Sequence, residues 1–463
     1  MPDAPRRFQA PKGTRDMLPA DLAVHRHVEA ACRAASIAAG FEEIQGPMFE
    51  FLDLYVAKSG EGIVGELFSF RRAGGDDDYA LRPELTPTVA RMVAALGRAA
   101  PHPIKWFSFG SMFRAERPQR GRLREHVQWN VDLFGEADVR AETELLGTAT
   151  DALARLGVDP SVLAFRTSHR DLVADLLRRD LGVADARLPE ALALLDRRLK
   201  LPPEVFAEQA RGLGMDEDAL ARLAAIAEAK VAMADVAAKG PAALPPAARD
   251  AAPIAEREGW STLAELAERL AAAGLAEWCT LDLSIVRGLA YYTGTVFELH
   301  ETSGRERAVA GGGRYDDLVE RLGGPPTPAI GFAMGDVVIR LVLEDRGLLE
   351  PGERYLPRPD VFVVAAEGTD PAFRDALLLQ LRRRDLHART SYRTTTKVRK
   401  LLEEADRTGA AHALVLGDGA PALKDLANGE QVELAPVDAT PAALAAAVAG
   451  RLPDRSGVGA NPR

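Results

Sequence analysis

Two long strand-like runs, IKWFSFGSMFRAE (104–116) and EHVQWNVDLFGE (125–136), flank the basic segment RPQRGRLR (117–124). That pattern predicts an antiparallel pair joined by a charged loop, and it commits this part of the chain to a sheet. Side chains alternate along a strand, so Arg114 and Glu116 are expected on one face. Gln128, Asn130 and Asp132 are likewise expected on one face of the returning strand. These polar rows sit on a pair that also carries Phe107, Phe109, Val127 and Phe134. Two readings are open: a solvated sheet face with a basic loop, or an anion site. In the second, Arg114 and the loop residues Arg117, Arg120, Arg122 and Arg124 would meet a triphosphate or an RNA backbone.

The rest of the chain organises around this pair. Residues 20–40 have apolar positions at helical spacing, ending at Gly40. FEEIQGPMFE alternates like a strand broken at Gly46-Pro47, and residues 66–84 read as strand, polar turn and strand. Helices are predicted through Arg91 to Leu96 and over 141–156. From Ser168 to Ala273 the chain becomes rich in Ala, Leu, Arg and Glu with proline-interrupted helical stretches, which predicts an all-helical insert. Strand character resumes from Trp278 to Gly335, and DVVIRLVLEDRGLL begins a helix. These segments give an α+β domain over 1–345, interrupted by the insert at 168–273. Residues 346–357 read as a linker. From 358 to 452 the pattern β-α-β-α-β predicts a small α/β domain, and 453–463 should be disordered.

The total of 463 residues suits two to four domains, and 47% hydrophobic with 27% charged residues is ordinary for a soluble globular chain. No apolar run approaches the ~18 residues of a membrane span, and MPDAPRRFQAPKG lacks the apolar centre of a secretory signal. Cys32 and Cys279 are far apart without metal-ligand spacing and read as buried thiols in a reducing compartment, and no protein-held metal is expected. A formal charge of −10 argues against a generic nucleic-acid coat but leaves room for a local basic patch.

A further segment, LSIVRGLAYYTGTVFE (283–298), reads as strand, turn and strand: Ser284–Val286 and Thr295–Phe297 are strand formers, broken by Arg287-Gly288 and Thr293-Gly294. An arginine there would be buried and needs an anionic partner, either an internal carboxylate or a ligand. LRPELT (81–86) reads as a helix entrance. In AVAGGGRYDDLVERLGG (308–324) no Lys-Ser/Thr follows the glycines, so a phosphate loop is not indicated; they are expected to let backbone approach a bound ligand.

In this order, these segments resemble the histidyl-tRNA synthetase family of class II aminoacyl-tRNA synthetases. FRAERPQRGR resembles its motif two, TPAIGFAMGDVVIRL its motif three, and RGLAYYTGTVFE and AVAGGGRYDD its two histidine-specific signatures. PKGTRD and Gly46-Pro47 are similar to its opening and to motif one, at the family's dimer interface; the C-terminal region is similar to its anticodon-binding domain. The resemblance implies a six-stranded antiparallel catalytic sheet, a cytoplasmic homodimer, and ligation of L-histidine to tRNA(His) with ATP and Mg2+ through a histidyl-adenylate.

The resemblance also implies residue roles. Arg114 and Arg287 would be catalytic, and Glu84, Thr86, Arg114, Gln128, Asp132, Arg287, Tyr291 and Tyr292 would hold histidine. Arg114, Glu116, Arg122 and His126 would hold ATP. Arg120, Lys397, Arg399 and Lys400 would meet tRNA. The chain departs from the family pattern at four places. Ala290 replaces an acidic residue, Asp132 a glutamate, His126 an adenine-stacking phenylalanine, and Val338 the arginine that clamps ATP. Arg340 lies two residues on, ~200° around a helix, so Arg122 or Arg124 is expected to supply the clamp. Val338 and Ala290 are also compatible with a non-catalytic paralogue, the regulatory subunit of ATP phosphoribosyltransferase. That paralogue resembles only the catalytic part, whereas this chain has a C-terminal domain.

Overall fold

The computed structural model describes residues 8–59, 61–198, 201–257, 259–287, 291–434 and 440–452. The chain divides into two compact units, Met1–Glu350 and Pro351–Arg463, and the division falls inside the predicted linker. The predicted tail, 453–463, lies outside the described residues, as do Gly288 and Ala290.

The first unit is built on a nine-stranded sheet. The two alternating runs form its longest hairpin, Ile104–Phe113 against Glu125–Phe134, with Phe107 opposite Val131. From this hairpin the sheet continues through Ala329–Gly335, Ala310–Arg314, Thr295–Glu301 and Leu163–His169, every pairing antiparallel. These are the six antiparallel strands expected. The sheet as a whole is mixed, because Glu42–Glu43 and Cys279–Asp282 add in parallel at the two sides and Lys230–Ala232 extends one edge.

The returning strand of the hairpin is covered on both faces. Trp129, Val131 and Leu133 enter a large core with Val28 and Cys32 of helix Pro19–Ala38 and Leu145 and Leu146 of helix Arg140–Arg155. Phe134, on the opposite face, packs with Leu85, Val89 and Tyr315. The polar row shares that face and is 8%, 1% and 2% exposed at Gln128, Asn130 and Asp132, which rules out a solvated sheet face.

Three expectations are corrected. The insert is not all helical: Lys230–Ala232 pairs with Cys279–Asp282, and strand Leu163–His169 runs into its predicted start. Its helices bury Leu176, Leu195, Leu223 and Leu263 in the same core as the sheet, so it is part of this unit. Ser284–Val286 is not a strand. The strand stops at Asp282, whose buried carboxylate accepts from the Ser284 backbone N–H (3.1 Å) and hydroxyl (2.5 Å), turning the chain off the sheet. Arg114 and Glu116 lie beyond the strand end at Phe113 rather than on a strand face.

A small sheet, Phe49–Phe51, Asp78–Leu81 and Ser69–Arg71, completes this unit. It carries Phe49, Phe51 and Phe70 exposed, each in ring contact with Tyr79.

The second unit has the predicted alternation. Ala388–Thr390, Val361–Ala365 and His412–Leu416 are parallel, and the hairpin Ala422–Asp425 and Gln431–Glu433 adds antiparallel. Its core includes Val361, Val363, Leu377, Leu381, Leu414 and Leu444.

Candidate active site

A cleft of about 710 Å³ opens on the sheet of the first unit. It is lined by Glu84, Arg114, Glu116, Arg122, His126, Gln128 and Arg287 among the residues singled out from sequence, and by Glu298, His300 and Arg307. Arg114 and Glu116 reach it from the loop after their strand.

Arg287 is placed by the turn at Asp282. Its φ is 55°, a left-handed conformation uncommon for a side chain with a Cβ. Arg170 Nη1 donates to the backbone carbonyls of Val286 (3.3 Å) and Arg287 (3.2 Å) and fixes this corner. The Arg287 guanidinium then lies across Gly311, where an added Cβ would fall 2.2 Å from Nη1. It donates to Glu298 Oε1 at 2.6 Å, on the strand position opposite Gly311. Glu298 Oε2 meets His300 Nε2 at 2.9 Å. Burial disfavours charge on both partners. The Tyr292 hydroxyl and the Glu298 carboxylate nevertheless hold the Arg287 pKa above its ordinary value, while His300 and Arg287 bring Glu298 down to about 2. The arginine therefore has an internal carboxylate and also faces the cleft.

The glycines, of which Gly311 lines the cleft, also serve the packing of the sheet. They lie in strand Ala310–Arg314, and a Cβ would meet Arg287 at Gly311, Phe332 at Gly312 and Tyr292 at Gly313. Gly311 makes room for the Arg287 guanidinium, and Gly312 and Gly313 let the neighbouring strand carbonyls of Gly331 and Thr295 come close.

Beside Arg287 the pocket is aromatic. Tyr291 contacts Tyr292 at 4.7 Å and Tyr315 at 5.9 Å between ring centroids. Tyr291 donates to Glu84 Oε2 at 3.1 Å. Tyr315 donates to Asp132 Oδ1 at 2.5 Å. Gly331 allows that carboxylate to lie against the neighbouring strand, since a Cβ there would fall 2.2 Å from Oδ1. Burial raises the Asp132 pKa to about 7, opposed by the Tyr315 hydrogen bond. Thr86 begins helix Thr86–Leu96, and it, Asp132, Tyr291 and Tyr292 are not among the cleft-lining residues.

The other end of the cleft is cationic. Arg114 donates to the Pro83 carbonyl at 3.3 Å, and Arg122 pairs with Glu116. Burial lowers the pKa of both, as does charge from neighbouring arginines. Burial and Arg114 bring His126 to about 4, so it is a neutral ring at neutral pH, and its Nδ1 has no partner among the described residues. Val338 lines the cleft, whereas Arg340 turns away to Asp21 (2.9 Å) and Glu344 (2.7 Å), as the helical register predicted. Arg124 points elsewhere, donating to the Glu116 and Lys12 carbonyls, which removes it as a clamp. Arg120 is exposed and paired with Glu306 at 2.6 Å. Lys397, Arg399 and Lys400 lie in the second unit at the start of helix Val398–Arg407, with Arg399 paired to Glu403 at 3.1 Å.

Sequence reasoning assigned no role to Glu298, His300, Tyr315 or Arg307. The first three lie inside or beside quoted motifs, and for Glu298 and His300 the alternation with buried neighbours was the available signal; Tyr315 had none. Arg307 had none.

An antiparallel sheet carrying an arginine-lined cleft beside a closed aromatic pocket has the architecture of a class II synthetase catalytic domain. Residues 13–336 match the family model for histidyl-tRNA synthetase, and the chain belongs to that family. It is 37% identical over 438 residues to the histidine–tRNA ligase of Halobacterium salinarum, covering 93% of this chain and 96% of that one. It is 40% identical over 379 residues to the ligase of Opitutus terrae, covering 81% and 83%. In fold it resembles the crystal structure of histidyl-tRNA synthetase from Nostoc sp. PCC 7120, with a TM-score of 0.74 at 22% identity over 96% of this chain and 100% of that one.

Proposed function

We propose that this chain is a histidine–tRNA ligase that activates L-histidine with Mg-ATP and transfers it to tRNA(His). The observation that carries the reading is a cleft where guanidiniums converge, lined by Glu84 and Gln128, with a buried carboxylate bonded to a tyrosine in the sheet behind it. The α-ammonium of histidine binds Glu84, and the imidazole is read by Asp132, Gln128 and the Tyr291–Tyr292 pair. Thr86, at the start of helix Thr86–Leu96, joins Glu84 at the ammonium. A histidine carboxylate oxygen forms a bond to the α-phosphorus as the bond to pyrophosphate breaks. Arg114 and Arg287 neutralise the charge that develops, without a covalent enzyme intermediate. The terminal ribose hydroxyl of tRNA then attacks the adenylate carbonyl and AMP leaves. Neutral His126 offers a ring face to adenine. Mg2+ enters as the counter-ion of the nucleotide substrate; among the described residues no cluster of His, Cys, Asp and Glu could hold a metal.

The same proposal extends to partners. The exposed aromatic face of Phe49, Phe51 and Phe70 suits a second copy of the chain. Lys397 and Lys400, with Tyr392 98% exposed nearby in sequence, suit tRNA phosphates and a stacked base. Buried Cys32 and Cys279 are free thiols, and no described helix is long and apolar enough to cross a membrane; we place the enzyme in the cytoplasm. Incubating the protein with ATP, radiolabelled histidine and a tRNA(His) transcript should give charged tRNA. A folded preparation that charges none would overturn the reading.

A further inference from the structure

Three guanidiniums, those of Arg114, Arg122 and Arg307, face the cationic end of the cleft. Arg122 is matched by Glu116, and Arg114 donates to a carbonyl. Among the described residues Arg307 makes no hydrogen bond or ion pair. Its neighbour Glu306 is taken by Arg120, which ties the 302–309 loop to the 117–124 loop while leaving Arg307 uncommitted. Arg307 is exposed to solvent, yet it is placed: a Cβ on Gly121 would lie 3.4 Å from the Arg307 stem and 3.4 Å from Val338. Val338, in the first turn of helix Asp336–Asp345, presents only an apolar surface to the cleft. Burial lowers the pKa of Arg307, and Arg114 lowers it further, so these cations repel each other until an anion arrives.

We infer that Arg307 binds the pyrophosphate portion of ATP, the β- and γ-phosphates, over the apolar surface of Val338. A guanidinium suits this ligand because its fork of donors spans two phosphate oxygens. A cation there stabilises the negative charge that passes to the leaving pyrophosphate when the adenylate forms. The inference rests on the ATP-dependent reading above and replaces Arg122 and Arg124 as the clamp.

The test uses full-length Arg307→Ala, Arg307→Lys and Arg340→Ala proteins. In histidine-dependent pyrophosphate exchange, Arg307→Ala should raise the KM for ATP roughly 10- to 100-fold, the scale of one lost charge-assisted contact, and leave that for histidine nearly unchanged. Arg307→Lys should fall between, keeping charge without the fork, and Arg340→Ala should match wild type. By calorimetry, inorganic pyrophosphate should bind wild type and lose affinity in Arg307→Ala, while AMP binds both alike. Wild-type ATP and pyrophosphate affinity in a folded Arg307→Ala would overturn the inference. Absent exchange in the wild-type protein would instead count against the ligase reading, and the pyrophosphate titration would still judge Arg307.

Discussion

The two ends of the cleft solve opposite electrostatic problems. At the amino-acid end the charged groups are committed before any ligand arrives, Asp132 to Tyr315, Glu84 to Tyr291 and Arg287 to Glu298, while Gln128 Oε1 has no partner among the described residues. At the polyphosphate end Arg114 and Arg307 face the cleft with no carboxylate bonded to either among the described residues. On the proposed reading the first end is preorganised for the histidine side chain, which stays the same through the reaction. An analogue that cannot hydrogen-bond leaves the buried Gln128 oxygen unpaired there, which rejects it strongly. On the proposed reading the second end stays frustrated until an anion relieves it, which favours binding a highly charged ligand and stabilising its departure.

The largest effect should come from the residue joining the two ends. Arg287→Ala is expected to cost ~3 kcal/mol or more of transition-state stabilisation, a loss of over a hundredfold in pyrophosphate exchange. It also leaves Glu298 buried without its arginine, so stability should fall as well. Adding Glu298→Gln should recover melting temperature without recovering exchange. Recovery of both would make Arg287 structural and dissolve the distinction between the ends.

Asp132→Asn should come next. The Tyr315 hydroxyl still has an acceptor, but the charge proposed to face the imidazole is lost. The KM for histidine is expected to rise ~10- to 100-fold, as for a charged hydrogen bond. The KM for ATP should stay within about twofold if the ends act independently. Equal effects on both substrates would merge them.

Arg122→Ala should weaken ATP by less than Arg307→Ala does, because Arg122 is already matched by Glu116. Its removal also frees that carboxylate in the cationic end, so the expected rise in the KM for ATP is severalfold. A larger effect than Arg307→Ala would return the clamp to the motif two loop.

The smallest effect concerns stability. The Asp132 pKa lies near 7 in the fold against an ordinary 3.8, so burying its ionised form is unfavourable. The penalty is absent below about pH 4, grows as pH rises to about 7, and is constant above. Asp132→Asn should therefore raise melting temperature by a few degrees at pH 8 and by nothing at pH 4. A gain independent of pH would show that Asp132 is not the titrating group.

Legibility from sequence followed the range of the forces involved. The hairpin of 104–113 and 125–134 was readable because a strand covered on both faces needs apolar and polar rows in register. The C-terminal alternation was readable for a similar reason. Ser284–Val286 misled because strand propensity is weak beside one short-range event, the capture of Ser284 by the Asp282 carboxylate. Lys230–Ala232 was hidden because three residues between alanine-rich helices carry no period. The cleft residues were legible through family motifs, but their connections were not. Tyr315 lies 183 residues from Asp132, and nothing local ties a tyrosine after a glycine run to a strand carboxylate. Arg307 sits in a polar loop where an arginine looks like solvent-facing charge; only its position against Gly121 and Val338 gives it meaning.

The most direct test of the account is amino-acid-dependent pyrophosphate exchange by the wild-type protein, run with histidine and with phenylalanine in parallel. If the amino-acid end reads the imidazole through Asp132 and the tyrosines, exchange should be rapid with histidine. With phenylalanine, which offers no hydrogen bond to those groups, it should be lower by about four orders of magnitude. Comparable exchange with both amino acids, or exchange with neither by a folded protein that binds ATP, would contradict it.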